Sequence, residues 1–240
     1  MPPLCGLPMP AALSGSTSNG DALGRTWSRG GAGGSKVRPL NRKIVVVGDG
    51  ACGKTSLLNV FAYGNFPMDY EPTVFENHTS EIVIEDTRVQ LSLWDTAGQE
   101  DFARLRSLSY ADTNVVLLCY SIEQPVSLEN IEAKWVDEIL EHCPGVKLCL
   151  VALKCDLRED HATREKLAQN GDAPVEYEQG LAVAKRIRAS RYLECSAKHN
   201  RGVRECFEEA ARVSVTARRA GETRGSGPQD ERDGGGCAIM

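Results

Sequence analysis

The chain has 240 residues, 41% of them hydrophobic and 25% charged, with a formal net charge of −5. These values fit one globular domain with extensions and a core of normal size, and the acidic balance excludes a nucleic-acid binder with an all-basic surface. Nine cysteines and four histidines form no C-x-x-C pair and no zinc-like spacing, so reduced thiols in the cytosol are expected, most of them small buried hydrophobes. No apolar run approaches the roughly 18 residues that cross a bilayer, and the proline-broken start lacks the basic-then-apolar pattern of a signal peptide. Membrane contact, if any, must come from a lipid or a partner.

Residues 1–41 are rich in Gly, Ser, Pro and Ala without helical or strand period, and are expected to form a flexible N-terminal extension. Its charges are one-sided (Arg25, Arg29, Lys36 and Arg38 against Asp21), which fits a solvated tail or, more sharply, a weak contact with anionic lipid. The apolar run Lys43–Gly48 predicts a strand buried on both faces, followed by a Gly-rich turn and a helix over Lys54–Tyr63. Alternating residues at 79–85 and 88–94, around Glu85-Asp86-Thr87, predict a hairpin. Val115–Tyr120, Lys147–Leu153 and Arg191–Cys195 read as three more strands. Between them Leu128, Ile131, Trp135 and Ile139 form one apolar helical stripe, and helices are expected over Gln179–Ala189 and Gly202–Val215. Strands alternating with helices predict an α/β fold, a mostly parallel sheet covered on both faces with one antiparallel strand from the hairpin. The domain is expected over 42–217, and 218–240 reads as a flexible C-terminal tail.

Gly48-Asp49-Gly50-Ala51-Cys52-Gly53-Lys54-Thr55, continued by Ser56, fits G-x-x-x-x-G-K-[ST] between a strand and a helix. Glycines let backbone N–H groups converge on phosphate oxygens, and the helix N-terminus adds a favourable dipole. In that motif Lys54 reaches the β- and γ-phosphates, and the Thr55 hydroxyl binds Mg²⁺. Asp95, at the end of an apolar strand, can hold the shell of the same ion, and Gly98 lets its backbone N–H approach a γ-phosphate.

Asp95-Thr-Ala-Gly98-Gln99 resembles the second switch of Ras-related GTPases, and the resemblance extends from Arg42 to Ala217. It implies a six-stranded P-loop NTPase fold of the Ras type and a GTP/GDP-bound protein that needs Mg²⁺. It also implies that Thr73 completes the metal site, that Phe66 packs on the guanine ring, that Gly98 senses the γ-phosphate and that Gln99 orients the attacking water. Base choice is expected from Lys154-Cys155-Asp156 and Ser196-Ala197-Lys198. A carboxylate at Asp156 can accept two hydrogen bonds from the guanine edge, a pair of donors that adenine lacks. The Lys154 stem would lie on the ring and the Ala197 N–H would meet the guanine O6. The family usually has Asn or Thr where Leu153 stands, which predicts a weaker hold on the nucleotide.

Within that family the segments Tyr70-Glu71-Pro72-Thr73-Val74-Phe75-Glu76-Asn77 and Gly98–Tyr110 resemble the two switches of Rho proteins, the first being their effector region. The charged stretch 158–172 occupies the place of the Rho insert helix. Leu153-Lys-Cys-Asp-Leu-Arg158 is most similar to a fungal Rho subtype linked to polarised growth, secretion and actin cables. The resemblance implies a monomer served by an exchange factor, a GTPase-activating protein that adds an arginine and a dissociation inhibitor. Effectors would include formins or exocytic machinery. Arg104 and Arg106 read as surface groups that meet partners.

Cys237-Ala-Ile-Met240 matches C-a-a-X, with Met favouring farnesyl. One prenyl chain anchors weakly, and the tail before it balances its arginines with acids, so Cys5 is the candidate for a second, palmitoyl anchor. The expected location is the cytoplasmic face of the plasma membrane, with a cytosolic pool. Two other readings stay open: a tethered scaffold that holds GTP without useful hydrolysis, and a P-loop kinase or ATPase, which would not need Asp156.

Overall fold

The computed structural model describes residues 38–68, 73 and 75–216, and for Phe75 the backbone alone. Cys5, Tyr70, Glu71, Pro72, Val74 and Cys237 lie outside the described residues, so the readings that fall on them have no structural counterpart.

Strand β1 (Leu40–Gly48) leads into helix α1 (Lys54–Tyr63); β2 (Phe75–Ile84) and β3 (Thr87–Thr96) form the hairpin. A 3₁₀ turn (Glu100–Phe102) and the short α2 (Ala103–Ser107) follow, then β4 (Val115–Ser121), α3 (Pro125–Asn130), a π-helical turn (Ile131–Trp135) and α4 (Val136–His142). The rest is β5 (Lys147–Leu153), a 3₁₀ turn (Cys155–Arg158), α5 (His161–Ala168), α6 (Tyr177–Arg186), β6 (Arg191–Glu194) and α7 (Val203–Thr216).

The six strands lie in the order β2-β3-β1-β4-β5-β6. Only the β2–β3 pair is antiparallel. This is the predicted Ras-type sheet. Strand β1 begins earlier than its apolar run because Leu40, Asn41 and Arg42 pair with Val89, Gln90 and Leu91. The hairpin closes through Glu85 and Asp86, both at positive φ (45° and 65°), the twist that a two-residue turn needs to match the strands.

Period two along β1 divides the core. Ile44 and Val46 face a cluster with Leu57, Leu58, Phe207 and Ala210, under α1 and α7. Val45 and Val47 face the opposite cluster with Trp135, Ile139 and Val183, under α3, α4 and α6. The predicted stripe Leu128, Ile131, Trp135 and Ile139 is buried throughout. Its helix nonetheless carries the π turn, which periodicity did not reveal. Helix α6 starts at Tyr177 because Glu176 and Gln179 close a capping box. The 158–172 stretch contains α5, capped by Asp160, whose carboxylate accepts from the Thr163 N–H at 2.8 Å.

Candidate functional site

The Gly-rich turn between β1 and α1 is shaped by close approach. Gly48 has φ +144°, and a Cβ there would stand 2.0 Å from the Cys119 carbonyl oxygen. Gly53 caps α1 in the left-handed region, and no side chain caps the helix, which leaves its first amides for a ligand. Lys54 is buried, and its ammonium bonds back to the Gly48 and Asp49 carbonyls, each at 2.8 Å. The Asp49 carboxylate turns away from the loop, accepting from Asn130 Nδ2 and Trp135 Nε1, both at 2.7 Å. Asp49 therefore presents its backbone to the loop and lends its side chain to the π turn. Cys52 is wholly buried, and that burial pushes its thiol up, away from thiolate chemistry.

Beside the loop, the Thr55 hydroxyl donates to Asp95 Oδ2 at 2.6 Å and lies 2.5 Å from the Thr73 hydroxyl. Asp95 is fully buried and its Oδ1 has no hydrogen-bond partner. Burial pushes its carboxyl up to about 6, against the Thr55 hydrogen bond and the Lys54 charge. An orphaned carboxylate oxygen beside two hydroxyls fits a hard cation such as Mg²⁺. Among the described residues no group of three or more His, Cys, Asp or Glu side chains could hold a metal. A cation here thus depends on those hydroxyls and on ligand oxygens.

Gly98 lies against the loop: a Cβ on it would stand 2.3 Å from the Gly50 N. Gln99 also lies beside Gly50, its side chain 3.8 Å from where a Gly50 Cβ would stand. The structure corrects the reading of Arg106 as a surface group. It is 2% exposed, and its Nη1 donates to the Ala97 and Gln99 carbonyls at 2.8 and 2.9 Å. Its remaining donors fork onto Glu138 at 2.8 Å each, Tyr110 adds a third bond to that carboxylate, and the guanidinium stacks over Trp135. Arg106 thus holds the backbone on both sides of Gly98. Arg104 is exposed, as expected.

At the far end, the two base motifs follow β5 and β6. Lys154 takes a left-handed conformation (φ 58°), and its ammonium bonds to the Ala51 carbonyl at 3.0 Å and to Glu123 Oε1 at 2.5 Å. Asp156 carries a buried Oδ1 without a partner. Ser196 is buried and bridges Arg201 through both backbone groups, closing a loop that presents Ala197 and Lys198. Phe66, beyond α1, is a 40% exposed aromatic. Leu153 is 2% exposed and packs against the loop, its Cδ1 3.8 Å from where a Gly53 Cβ would stand. Glu123 and Glu138 belong to no motif, and Arg106 lies in the second switch segment without a sign of its buried role. A carboxylate just after a buried strand was the one available signal for Glu123, and nothing local marks the others.

Residues 43–216 match the Ras family. The chain is 58% identical over 204 residues to the GTP-binding protein Rho3 of Schizophyllum commune, covering 85% of this chain and 94% of that one. It is 54% identical over 208 residues to RHO3 of Saccharomyces cerevisiae (78% and 90% covered). It is 56% identical over 176 residues to RHO1 of the same yeast (73% and 84% covered). With the loop, the strand-end Asp95 and the two base motifs arranged on a six-stranded sheet of this order, the chain belongs to the Ras family and, within it, to the Rho-type GTPases that hydrolyse GTP.

Proposed function

We propose that this chain is a membrane-associated GTP/GDP switch that signals to effectors of actin organisation, cell polarity and exocytosis. The observation that carries the nucleotide part is a pair of buried, unpartnered carboxylate oxygens, Asp95 Oδ1 and Asp156 Oδ1. Unsatisfied buried acceptors are costly, so each is best explained by a ligand: a hydrated cation at Asp95 and the guanine N1–H and N2–H₂ edge at Asp156.

In this reading backbone amides of Gly48–Ser56 cradle the phosphates, and Lys54 exchanges its loop carbonyls for phosphate oxygens. Thr55 and Thr73 would hold Mg²⁺, with Asp95 supporting its water shell, and the ion when bound would neutralise charge on the phosphates. Gly98 offers its N–H to the γ-phosphate, and Gln99 orients the attacking water. Phe66 and the Lys154 stem flank the base, and Ala197, between Ser196 and Lys198, donates to its O6. Arg106 is committed to Glu138 and is not available to complete the transition state from within. Intrinsic turnover is then slow, about 10⁻⁴ to 10⁻³ per second, a value transferred from Ras, until an activating protein adds an arginine. Slow hydrolysis gives the γ-phosphate time to order the segments around Thr73 and Gly98 for effectors, the region 70–77 being the contact surface. An exchange factor and a dissociation inhibitor complete the cycle. The domain is taken as 42–217, with a farnesyl anchor at Cys237 and a palmitoyl anchor at Cys5 in the two extensions.

The test is the nucleotide carried by the purified protein, followed by single-turnover hydrolysis. The wild type should carry GDP, and Gln99→Leu should stay loaded with GTP, its turnover at least tenfold lower, roughly the contribution of one positioning group. Undiminished hydrolysis in that variant overturns the role of Gln99.

A further inference from the structure

The loops assigned to guanine follow different strands, and the β5–β6 ladder ends at Ala152 and Glu194, before either base motif. Beyond it the Cys155 N–H donates to the Cys195 carbonyl at 3.1 Å. Leu153 has no polar group to add. Arg201 Nη2 donates to Cys155 Sγ at 3.1 Å, and behind the motifs stands a charged link as well. Arg158 closes the 3₁₀ turn that carries Asp156, and Glu194 is the last residue of β6, ahead of Ser196 and Ala197. Arg158 Nη1 donates to Glu194 Oε2 at 2.8 Å and Nη2 to Oε1 at 2.7 Å, a planar fork on one carboxylate. Its Nε is held by the Val175 carbonyl at 3.0 Å. Glu194 Oε1 also accepts from the Tyr192 hydroxyl at 2.7 Å, which lies 2.9 Å from that of Tyr120. Both side chains of the pair are about five-sixths buried, with 16% and 17% exposed.

We infer that the Arg158–Glu194 pair positions the guanine pocket: it holds the Asp156 and Ala197 loops at a fixed separation and so sets base selectivity and nucleotide residence. This rests on the reading of Asp156 and Ala197 as the guanine contacts. Neither Arg158 nor Glu194 touches the base in that reading; they act through their neighbours. Burial works to raise the Glu194 carboxyl, and the hydrogen bonds from Arg158 and Tyr192 outweigh it, leaving the group below the usual carboxylate range. The pair is therefore charged and fully bonded, and a largely buried fork of this kind is rigid where a lysine point charge would not be. A carboxylate accepting two bonds from a base edge is sensitive to its angle, so a loosened loop weakens the bond to the guanine 2-amino group first.

The experiment uses the full chain loaded with a methylanthraniloyl-GDP probe, chased with GDP or with inosine diphosphate, which lacks the 2-amino group. Glu194→Gln removes the charge and keeps the shape; Arg158→Lys keeps the charge and removes the fork. Probe release should rise roughly tenfold in Glu194→Gln and less in Arg158→Lys, and the preference for GDP over inosine diphosphate should narrow in both. A wild-type preference in both variants overturns the proposal, whatever happens to their melting temperatures, because a merely structural pair lowers stability alone. If Glu194→Gln does not fold, Arg158→Lys decides. Asp156→Asn separates the two levels: if it keeps the wild-type preference, the guanine reading itself fails. If it loses that preference while the pair variants keep theirs, only the positioning role is lost.

Discussion

At the phosphate end, Lys54 bonds to carbonyls five and six residues away, and Gly48, at the start of the turn, meets the Cys119 carbonyl so closely that no side chain fits. At the base end, the motifs lean on side chains remote in sequence: Lys154 on Glu123, 31 positions away, and Arg158 on Glu194, 36 positions away. The first end is built from its own backbone, the second is braced from behind. Backbone cradles are insensitive to their surroundings, whereas braced loops can be tuned by one substitution far from the ligand. That difference suits a switch whose phosphate chemistry is fixed and whose nucleotide release must be adjustable.

The contrast has exceptions: Asn130 and Trp135 hold the Asp49 carboxylate of the loop, and a second, charged brace should give the largest effect when broken. The second switch, although part of the phosphate end, is braced by Arg106. Arg106→Ala leaves the largely buried Glu138 carboxylate without its cation and frees the Ala97 and Gln99 carbonyls, so a loss of about 3 to 5 kcal/mol is expected in urea unfolding. Hydrolysis should fall as well, since Gln99 loses its backbone support. A loss below about 1 kcal/mol would mean that the segment carries itself, and the contrast between the ends would then be complete.

What was legible in the sequence follows the same division. Gly48–Thr55, Asp95, Gly98, Lys154–Asp156 and Ser196–Lys198 stand out in the sequence because strand, turn and helix signals sit beside them, and the structure sets them at those strand ends and turns. The hairpin and the stripe through Trp135 were readable from period alone. Arg106 was misread because an arginine in a polar stretch looks solvated until Glu138, 32 positions on, is folded onto it. The π turn at Ile131–Trp135 left no mark because its apolar spacing is that of an ordinary helix; Asn130 and Trp135 anchor Asp49 there, a tertiary contact that spacing does not show. The Arg158–Glu194 pair is invisible for the same reason: each partner looks ordinary until both are placed.

A second test asks how much of the phosphate end waits for its ligand. The Asp95 carboxyl sits at about 6 in the protein without metal, against 3.8 for the unperturbed group. The folded state therefore holds this proton more tightly than the unfolded chain, and stability falls as pH rises from about 4 to about 6. Above that window the buried charge costs about 3 kcal/mol, because each pH unit crossed inside it removes about 1.4 kcal/mol. In nucleotide-free protein Asp95→Asn should remove that slope and raise the urea midpoint at pH 7, with little change at pH 4. It should also remove the stabilisation that Mg²⁺ and GDP give together. Parallel pH profiles for the two proteins would show that Asp95 is not the strained group.

The smallest effect concerns the seam between the two ends, at Leu153. Its side chain lies against the phosphate loop at Gly53, where an asparagine could donate to a loop carbonyl. The absence of that bond predicts a looser nucleotide, yet the Lys154 ammonium already ties β5 to the loop at Ala51, and Glu123 holds the ammonium in place. One tether of two is therefore missing, and the deficit is about one neutral hydrogen bond, roughly 1 kcal/mol. Leu153→Asn should slow GDP release about three- to tenfold. It should also lower the melting temperature of the nucleotide-free protein, because an amide then occupies a site that is 2% exposed and lined by apolar neighbours. Opposite movements of residence time and apo stability separate a tether from general tightening of the fold. Equal release rates would mean that Lys154 and Glu123 already supply all the hold that this position can give.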